Sequence, residues 1–200
     1  PIAIANLVDN EVKRKGFLGG VNAEIKIAKG LVFRTNFNAN VGVTNSNYFI
    51  PTYRLGNKTN DAASLNVTSQ NNLYWNWNQL LQYNTKIGNH DIGVMVSHEA
   101  QESTWDGMSG ARTGFVTNEI PVLSIGNAAG ATNGGNKGSW AMESYFGRLN
   151  YIFNDKYILQ AALRADGSVN FGPENRWGVF PSASAAWRIS QESFFESVEI

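Results

Sequence analysis

The stretch Ser144–Asp166, SYFGRLNYIFNDKYILQAALRAD, contains two β-strands joined by a tight turn. Apolar and polar side chains alternate along both halves, which is the period of a strand and not of a helix. A three-residue turn at 154–156 places Phe153 opposite Tyr157 and keeps the apolar faces of the two strands together. A shift of one residue would move every side chain to the other face. We therefore predict an antiparallel hairpin with that register.

The same alternation recurs along the rest of the chain and predicts seven strands, at residues 21–27, 31–43, 73–83, 90–98, 144–153, 157–166 and 179–189. Short turns follow the first, third and fifth of them, and Gly30 in the first turn is expected to take a left-handed conformation. Long loops are predicted at 44–72 and 99–143, and a shorter one at 167–178. Short turns on one side and long loops on the other are typical of outer-membrane barrels. Residues 197–200 are expected to begin a further strand.

Composition excludes several classes of protein. The chain has no cysteine, which excludes a disulfide framework, a thiolate metal site and a cysteine nucleophile. Its formal net charge is zero, so no basic patch points to nucleic acid. No run approaches the roughly 18 apolar residues of a membrane helix, so any crossing of a membrane has to use strands.

Aromatic side chains lie near the ends of the predicted apolar faces, and smaller residues such as Gly147 and Ala161 lie between them. This distribution is typical of the aromatic girdles of a membrane barrel, and its members are Trp75, Tyr83, Tyr145, Phe153, Tyr157 and Trp187. Pro181 cannot donate a ladder hydrogen bond. We therefore expect it near the extracellular rim or at a bulge.

The C-terminal third contains three ordered motifs: residues 144–172, NRWGVFPSASAAWRIS at 175–190, and Glu192-Ser-Phe194. With these motifs it resembles the SusC/RagA family of TonB-linked outer-membrane proteins. Val169 and Asn170 stand where the family often has Ser-Arg. Residues 101–138 match no motif of the family, and residues 1–100 match mainly in spacing.

The resemblance implies an all-β fold, an antiparallel transmembrane barrel of about 22 strands with an N-terminal plug. Residues 1–200 would be part of that one barrel domain and supply about seven strands, while the plug and the other strands lie outside them. Such a protein sits in the outer membrane of a Gram-negative cell, contacts lipid and imports oligosaccharides or peptides. It is energised by the TonB complex through the plug and capped by a SusD-like surface lipoprotein. It uses no cofactor and binds no nucleic acid.

Five side chains are candidates for substrate binding. Arg148, Arg164 and Asp166 fall on the predicted lumen face, where they either contact substrate or plug or form ordinary ion pairs in water. Trp105 and Trp140 lie in or beside a predicted long loop. They could stack on sugar rings, pack against the lipoprotein or hold the loop together, because loops on a rigid barrel often carry function.

Two other functions compete with import. A soluble carbohydrate-binding module would bury the face that contains Trp75. A barrel enzyme needs a nucleophile and a base, and Ser97-His98 is the only adjacent pair. Strand alternation points those two side chains in opposite directions, so no catalytic residue is assigned. His98, Glu99 and Glu102 fit no strong zinc pattern, so no metal site is assigned either.

Overall fold

The computed structural model describes residues 2–195, and most of them lie in strands. A single helical turn, α1, spans Ile2–Ala5. The strands are β1 Asp9–Ala28, β2 Leu31–Ile50, β3 Tyr53–Leu55, β4 Lys58–Asn60, β5 Ser64–Ile87, β6 His90–Thr113, β7 Thr132–Phe153, β8 Tyr157–Ser168 and β9 Trp177–Trp187. Short 3₁₀ turns occur at Leu123–Ile125, Ala128–Gly130, Pro173–Asn175 and Ile189–Gln191.

Seven of the strands form one sheet in the order β1-β2-β5-β6-β7-β8-β9. The order follows the chain, because each strand pairs with the next, and the small β3–β4 hairpin forms a separate two-stranded ladder. This is the antiparallel all-β architecture that the alternation predicted. Within residues 2–195, no helix is long and apolar enough to cross a membrane. The strand expected from residue 197 onward lies outside the described residues.

The predicted hairpin is confirmed in its register. Phe153 lies opposite Tyr157, and Leu149 lies opposite Ala161. The same register continues along β7 and β8 as far as Ser168. The turn closes with Lys156 N donating to the Phe153 carbonyl at 2.9 Å. Asn154 and Asp155 have φ of 54° and 57°, the left-handed region that Asn and Asp tolerate best among residues with a Cβ.

The predicted strands were too short at the ends that lie away from the short turns. The strand expected to begin at Val21 begins at Asp9, β2 runs to Ile50, and β5 begins at Ser64. β6 runs to Thr113 and β7 begins at Thr132. Most of the predicted loops at 44–72 and 99–143 are therefore strand. The extensions at 99–113 and 132–143 are rich in Gly, Asn, Ser and Thr and show little apolar alternation, but ladder hydrogen bonds join backbones and do not require it.

The expectation for Pro181 was wrong. Pro181 lies opposite Leu163 in the middle of a continuous β8–β9 ladder, so it is neither at the end of the strand nor at a bulge. Residues of an antiparallel pair alternate between hydrogen-bonded and non-hydrogen-bonded positions, so the β8–β9 pairing can continue past a residue that has no N–H.

The chain divides into two compact units. The first unit consists of residues 2–18, 40–74 and 103–139, and it holds the buried apolar side chains of residues 2–195: Phe49, Ala63, Leu65 and Phe115. The Phe49 and Phe115 rings meet edge to face at 5.5 Å. Leu123 and Ile125 pack against this cluster. The cluster thereby anchors the connection 114–131 to the strands.

The second unit consists of residues 19–39, 75–102 and 140–195. Among its described residues no apolar side chain is buried, whereas the polar side chain of Ser144 is only 4% exposed. This unit therefore has no hydrophobic core of its own. Its apolar side chains project from the sheet.

Two turn glycines provide a matched test of this fold. Gly30 (φ 78°) and Gly88 (φ 59°) are both left-handed, but a Cβ on Gly30 would overlap the Asn84 carbonyl oxygen, whereas nothing lies within 4 Å of a Cβ on Gly88. Gly88→Ala should lower the free energy of unfolding by about 1 to 2 kcal/mol through backbone strain alone. Gly30→Ala should cost clearly more, because the backbone of β5 would have to move. Thermal unfolding of the intact protein in detergent measures both, and equal losses would contradict the close approach.

Candidate functional site

The strands of the second unit have two chemically different faces. On the apolar face of β7–β9 the large side chains are between 44% and 60% exposed; they are Tyr145, Leu149, Tyr157, Leu159, Leu163, Val179 and Trp187. Register places them together, with Leu149 opposite Ala161 and Leu159 opposite Ala185. A contiguous exposed apolar surface of this kind marks contact with a partner or a membrane.

Aromatic rings form a row along one end of the apolar face. Ring centroids lie 4.9 Å apart for His90–Phe153, 6.3 Å for Phe153–Tyr157 and 6.4 Å for Tyr157–Trp187. Phe194, from the turn after β9, adds an edge-to-face contact with Trp187 at 6.4 Å. Three members of the predicted girdle thus stack side by side.

Glu192 holds this aromatic row in place. Its Oε2 accepts from Lys156 Nζ at 2.9 Å, and its Oε1 accepts from the Tyr157 hydroxyl at 2.9 Å and from Trp187 Nε1 at 3.0 Å. These donors, first Lys156, then Trp187 and Tyr157, hold the pKa of the Glu192 carboxyl below its usual range. The carboxylate therefore joins the turn after β9 to the end of β9, the start of β8 and the turn before it.

The polar face brings together two of the predicted site residues. Arg164 Nε donates to both carboxylate oxygens of Asp166 at 2.8 Å. Arg164 Nη2 also donates to Ser144 Oγ at 3.3 Å, and Ser144 lies opposite Asp166 in the β7–β8 ladder. Ser144 was not among the predicted site residues, although the predicted hairpin register already paired it with Asp166. The three side chains form one charged, hydrogen-bonded patch.

Arg148 lies on the same face but makes a different contact. Its Nη2 is 4.0 Å from the Met95 sulfur, and within the described residues its buried Nε has no hydrogen-bond partner. Nearby, Glu99 accepts from Asn76 Nδ2 at 2.6 Å. The polar face is therefore a set of small local contacts and not a single convergent cluster.

His98 belongs to the apolar face and takes part in a chain of hydrogen bonds across three strands. Its Nδ1 is 2.8 Å from Gln79 Oε1, and its Nε2 is 3.0 Å from Glu143 Oε1, which also accepts from the Tyr145 hydroxyl at 2.7 Å. Glu102 instead accepts from Trp75 Nε1 at 3.1 Å. His98, Glu99 and Glu102 thus bind separate partners, and no group of three metal-ligating side chains occurs within residues 2–195.

Trp105 and Trp140 are in strands, which corrects their predicted placement in or beside a loop. Trp105 lies in β6 and belongs to the first unit. Trp140 lies in β7, is partly buried and belongs to the second unit. The structure therefore does not bring the five predicted site residues together.

Asparagine side chains lie on glycines of neighbouring strands at four places. A Cβ on Gly42 would come within 2.6 Å of Asn72 Oδ1, and a Cβ on Gly107 would come within 2.6 Å of Asn136 Oδ1. The other two pairs are Gly20 with Asn38 and Gly93 with Asn84. Only the absence of a side chain on the glycine lets the amide approach the backbone so closely.

Comparison with known proteins identifies the family. Residues 7–195 match the family described as TonB dependent receptor-like, beta-barrel. The chain belongs to this family. It is 31% identical over its whole length to TonB-dependent receptor P26 of Formosa agariphila and 30% identical to TonB-dependent receptor SusC of Bacteroides thetaiotaomicron. It covers 20% of each, so it spans about a fifth of the length of these curated relatives.

Solved structures show the same fold. The RagAB peptide transporter superposes with a TM-score of 0.88 at 20% identity, over 96% of this chain and 22% of that one. The RagAB importer in its closed-closed state gives 0.85 at 21% identity, over 96% and 22%. The predicted SusC/RagA resemblance and the predicted barrel fold are thus confirmed.

The Glu192 contacts make stability depend on pH. The pKa of Glu192 is lowered in the folded state. The stabilisation of the fold by its carboxylate is therefore complete above the unfolded pKa of about 4.5, and it is lost as pH falls through the lower folded pKa. Between pH 6 and pH 3.5 the intact protein should therefore lose more thermal stability than its Glu192→Gln variant, which keeps the shape but not the charge. Thermal unfolding in detergent at both pH values measures this. An identical pH dependence in the two proteins would contradict the assigned role of Glu192.

Proposed function

We propose that the intact protein is a TonB-dependent importer in the outer membrane of a Gram-negative cell, and that it takes up oligosaccharides or peptides. Residues 2–195 would form part of the wall of its barrel. Membership of the TonB-dependent receptor family supports the proposal. So do the names of two similar proteins, the receptor SusC and the RagAB peptide transporter.

The two-faced sheet of the second unit carries the proposal. Its apolar face, with Leu149, Leu159 and Leu163 about half exposed, suits contact with lipid. Its opposite face, with the Arg164–Asp166 pair and Ser144, suits a water-filled lumen, where charged groups remain hydrated. An alternation of lipid-facing and lumen-facing residues is the pattern of a transmembrane barrel strand.

The soluble binding module is the weaker alternative. It would bury the apolar face that includes Trp75, but in the structure Leu73 and Trp77 on that face of β5 are 38% and 46% exposed. A barrel enzyme gains no support either, because His98 is bound to Gln79 and Glu143 and makes no described contact with a hydroxyl nucleophile. We propose no catalytic role and no cofactor.

The proposed partners follow from the family. The TonB complex would act through a plug outside these residues, and a SusD-like lipoprotein would cover the barrel from the cell surface. The zero net charge gives no reason to propose nucleic acid as a partner. Within the wall, Arg148, Arg164 and Asp166 are the charged groups proposed to meet substrate or plug in the lumen.

Two neighbouring residues of β8 test the assignment of the faces. Leu163→Arg would place a charge on the lipid side, at a cost of about 2 to 4 kcal/mol near the bilayer midplane, and should block assembly of the intact protein. Arg164→Leu changes the other face and should allow assembly. The measurement is the amount of folded, heat-modifiable protein in isolated outer membranes. Normal assembly of Leu163→Arg together with failure of Arg164→Leu would reverse the assigned faces.

The import function itself is tested by uptake. Cells that lack the gene, cells that lack TonB and wild-type cells are supplied with fluorescent neutral oligosaccharides and with fluorescent peptides of similar size. The proposal expects one class to enter wild-type cells and neither deletion strain. Uptake that is equal in all three strains would refute it.

A further inference from the structure

The Trp105 indole lies over Gly138 of the neighbouring strand in the first unit. A Cβ on Gly138 would fall 2.6 Å from Cε2 and 2.9 Å from Nε1 of the Trp105 indole, so the ring can occupy this position only because residue 138 is glycine. Trp105 nevertheless remains 36% exposed. The ring is therefore in contact with β7 but keeps part of its surface accessible to solvent.

A polar groove lies next to Trp105 along the strands. The next pair on this face of β6 and β7 is Gly107 and Asn136, where a Cβ on Gly107 would come within 2.6 Å of Asn136 Oδ1. The pair after it is Ser109 and Gly134, where a Cβ on Gly134 would come within 3.1 Å of Ser109 Oγ. Residues two apart in a strand share a face. Asn136 and Ser109 therefore project from the same face as the Trp105 ring.

A third strand completes the groove. Gly114 N donates to the Ala63 carbonyl at 2.9 Å, and Asn71 Nδ2 donates to Asp106 at 3.0 Å. This antiparallel register places Thr68 and Gln70 of β5 beside the β6 residues of the groove. The resulting space has a volume of about 380 Å³ and is lined by Thr68, Ser69, Gln70, Gly107, Met108, Ser109, Gly134, Gly135 and Asn136. Its size is in the range of small-molecule sites.

The chemistry of the groove favours one class of ligand. Its lining contains hydroxyls, amides and glycines, and none of the lining side chains is charged. The open face of an indole carries partial negative charge and attracts the polarised C–H groups of a sugar ring. Hydroxyls and amides can both donate and accept, as sugar hydroxyls do. A peptide with charged termini or side chains would find no counter-charge in this lining.

We propose that Trp105 and the adjoining groove form a binding subsite for a neutral pyranose unit of an oligosaccharide. The sugar ring stacks on the open face of the indole, and its hydroxyls bind Gln70, Ser109 and Asn136. The proposal rests on the import function, since it requires that this face of the sheet meet the substrate, and it narrows the substrate from oligosaccharide or peptide to a neutral glycan.

Binding to the intact purified importer in detergent tests the subsite. The probes are maltohexaose, cellohexaose, xylohexaose and mannohexaose, with a charged galacturonic acid hexamer and a hexapeptide as comparisons, and affinity is measured by calorimetry. We expect at least one neutral hexasaccharide to bind. Trp105→Ala should weaken that binding by at least about tenfold, equivalent to about 1.4 kcal/mol. Trp105→Phe keeps an aromatic face and should remain within about threefold of the wild type.

Two matched glycine variants test whether binding depends on the position of the Trp105 ring and not only on its presence. Gly138→Ala forces the indole away from the strand and should weaken binding severalfold although Trp105 is still there. Gly147→Ala adds the same methyl group where nothing lies within 4 Å, and it should leave affinity unchanged. Thermal unfolding of each variant shows that the loss of affinity occurs in folded protein.

Two results would overturn the subsite. One is that no neutral hexasaccharide in the panel binds the wild type, including the case in which the hexapeptide binds instead. The other is that folded Trp105→Ala binds the neutral hexasaccharide as tightly as the wild type does. Failure of the import function can be distinguished from failure of the subsite. It would appear as uptake that does not depend on TonB, even if binding still depends on Trp105.

Discussion

Because side chains alternate along a β-strand, a single register decides which residues of this sheet share a face. In the second unit the turn at 154–156 sets that register, with Asn154 and Asp155 both in the left-handed region. The β7–β8 register starts with Phe153 opposite Tyr157 and continues unchanged to Ser168, and β9 pairs with β8 in a register that is also continuous. The exposed apolar face, the aromatic row and the Arg164–Asp166 pair all depend on this phase.

The two units are stabilised by different means. The first has a small apolar cluster around Phe49 and Phe115 that anchors a connection to the strands. The second has no buried apolar side chain among its described residues, so these residues do not cover its apolar side chains. Hydrophobic stabilisation follows from removal of apolar area from water. For the second unit a lipid bilayer would provide that removal.

The sequence predicted the parts of the fold that alternation governs. The hairpin, the left-handed turn glycine Gly30 and the two faces of β7–β9 follow from a period of two and from turn chemistry. The strand extensions beyond Val43 and His98 could not be predicted, because the polar residues at 44–47 and 101–104 interrupt the apolar alternation there. Trp105 was wrongly placed for the same reason. Ser144 was missed because its hydrogen bond is with the Arg164 side chain, and a ladder register does not give side-chain contacts.

The asparagines that lie on glycines constrain how this sheet can change over evolutionary time. Each amide occupies the space that a side chain on the facing glycine would need, as with Asn136 on Gly107 and Asn84 on Gly93. A larger residue at the glycine is therefore compatible only with a shorter or displaced residue at the asparagine. Among related proteins these positions should vary as pairs, so the polar lining can acquire a new shape only through coordinated steps.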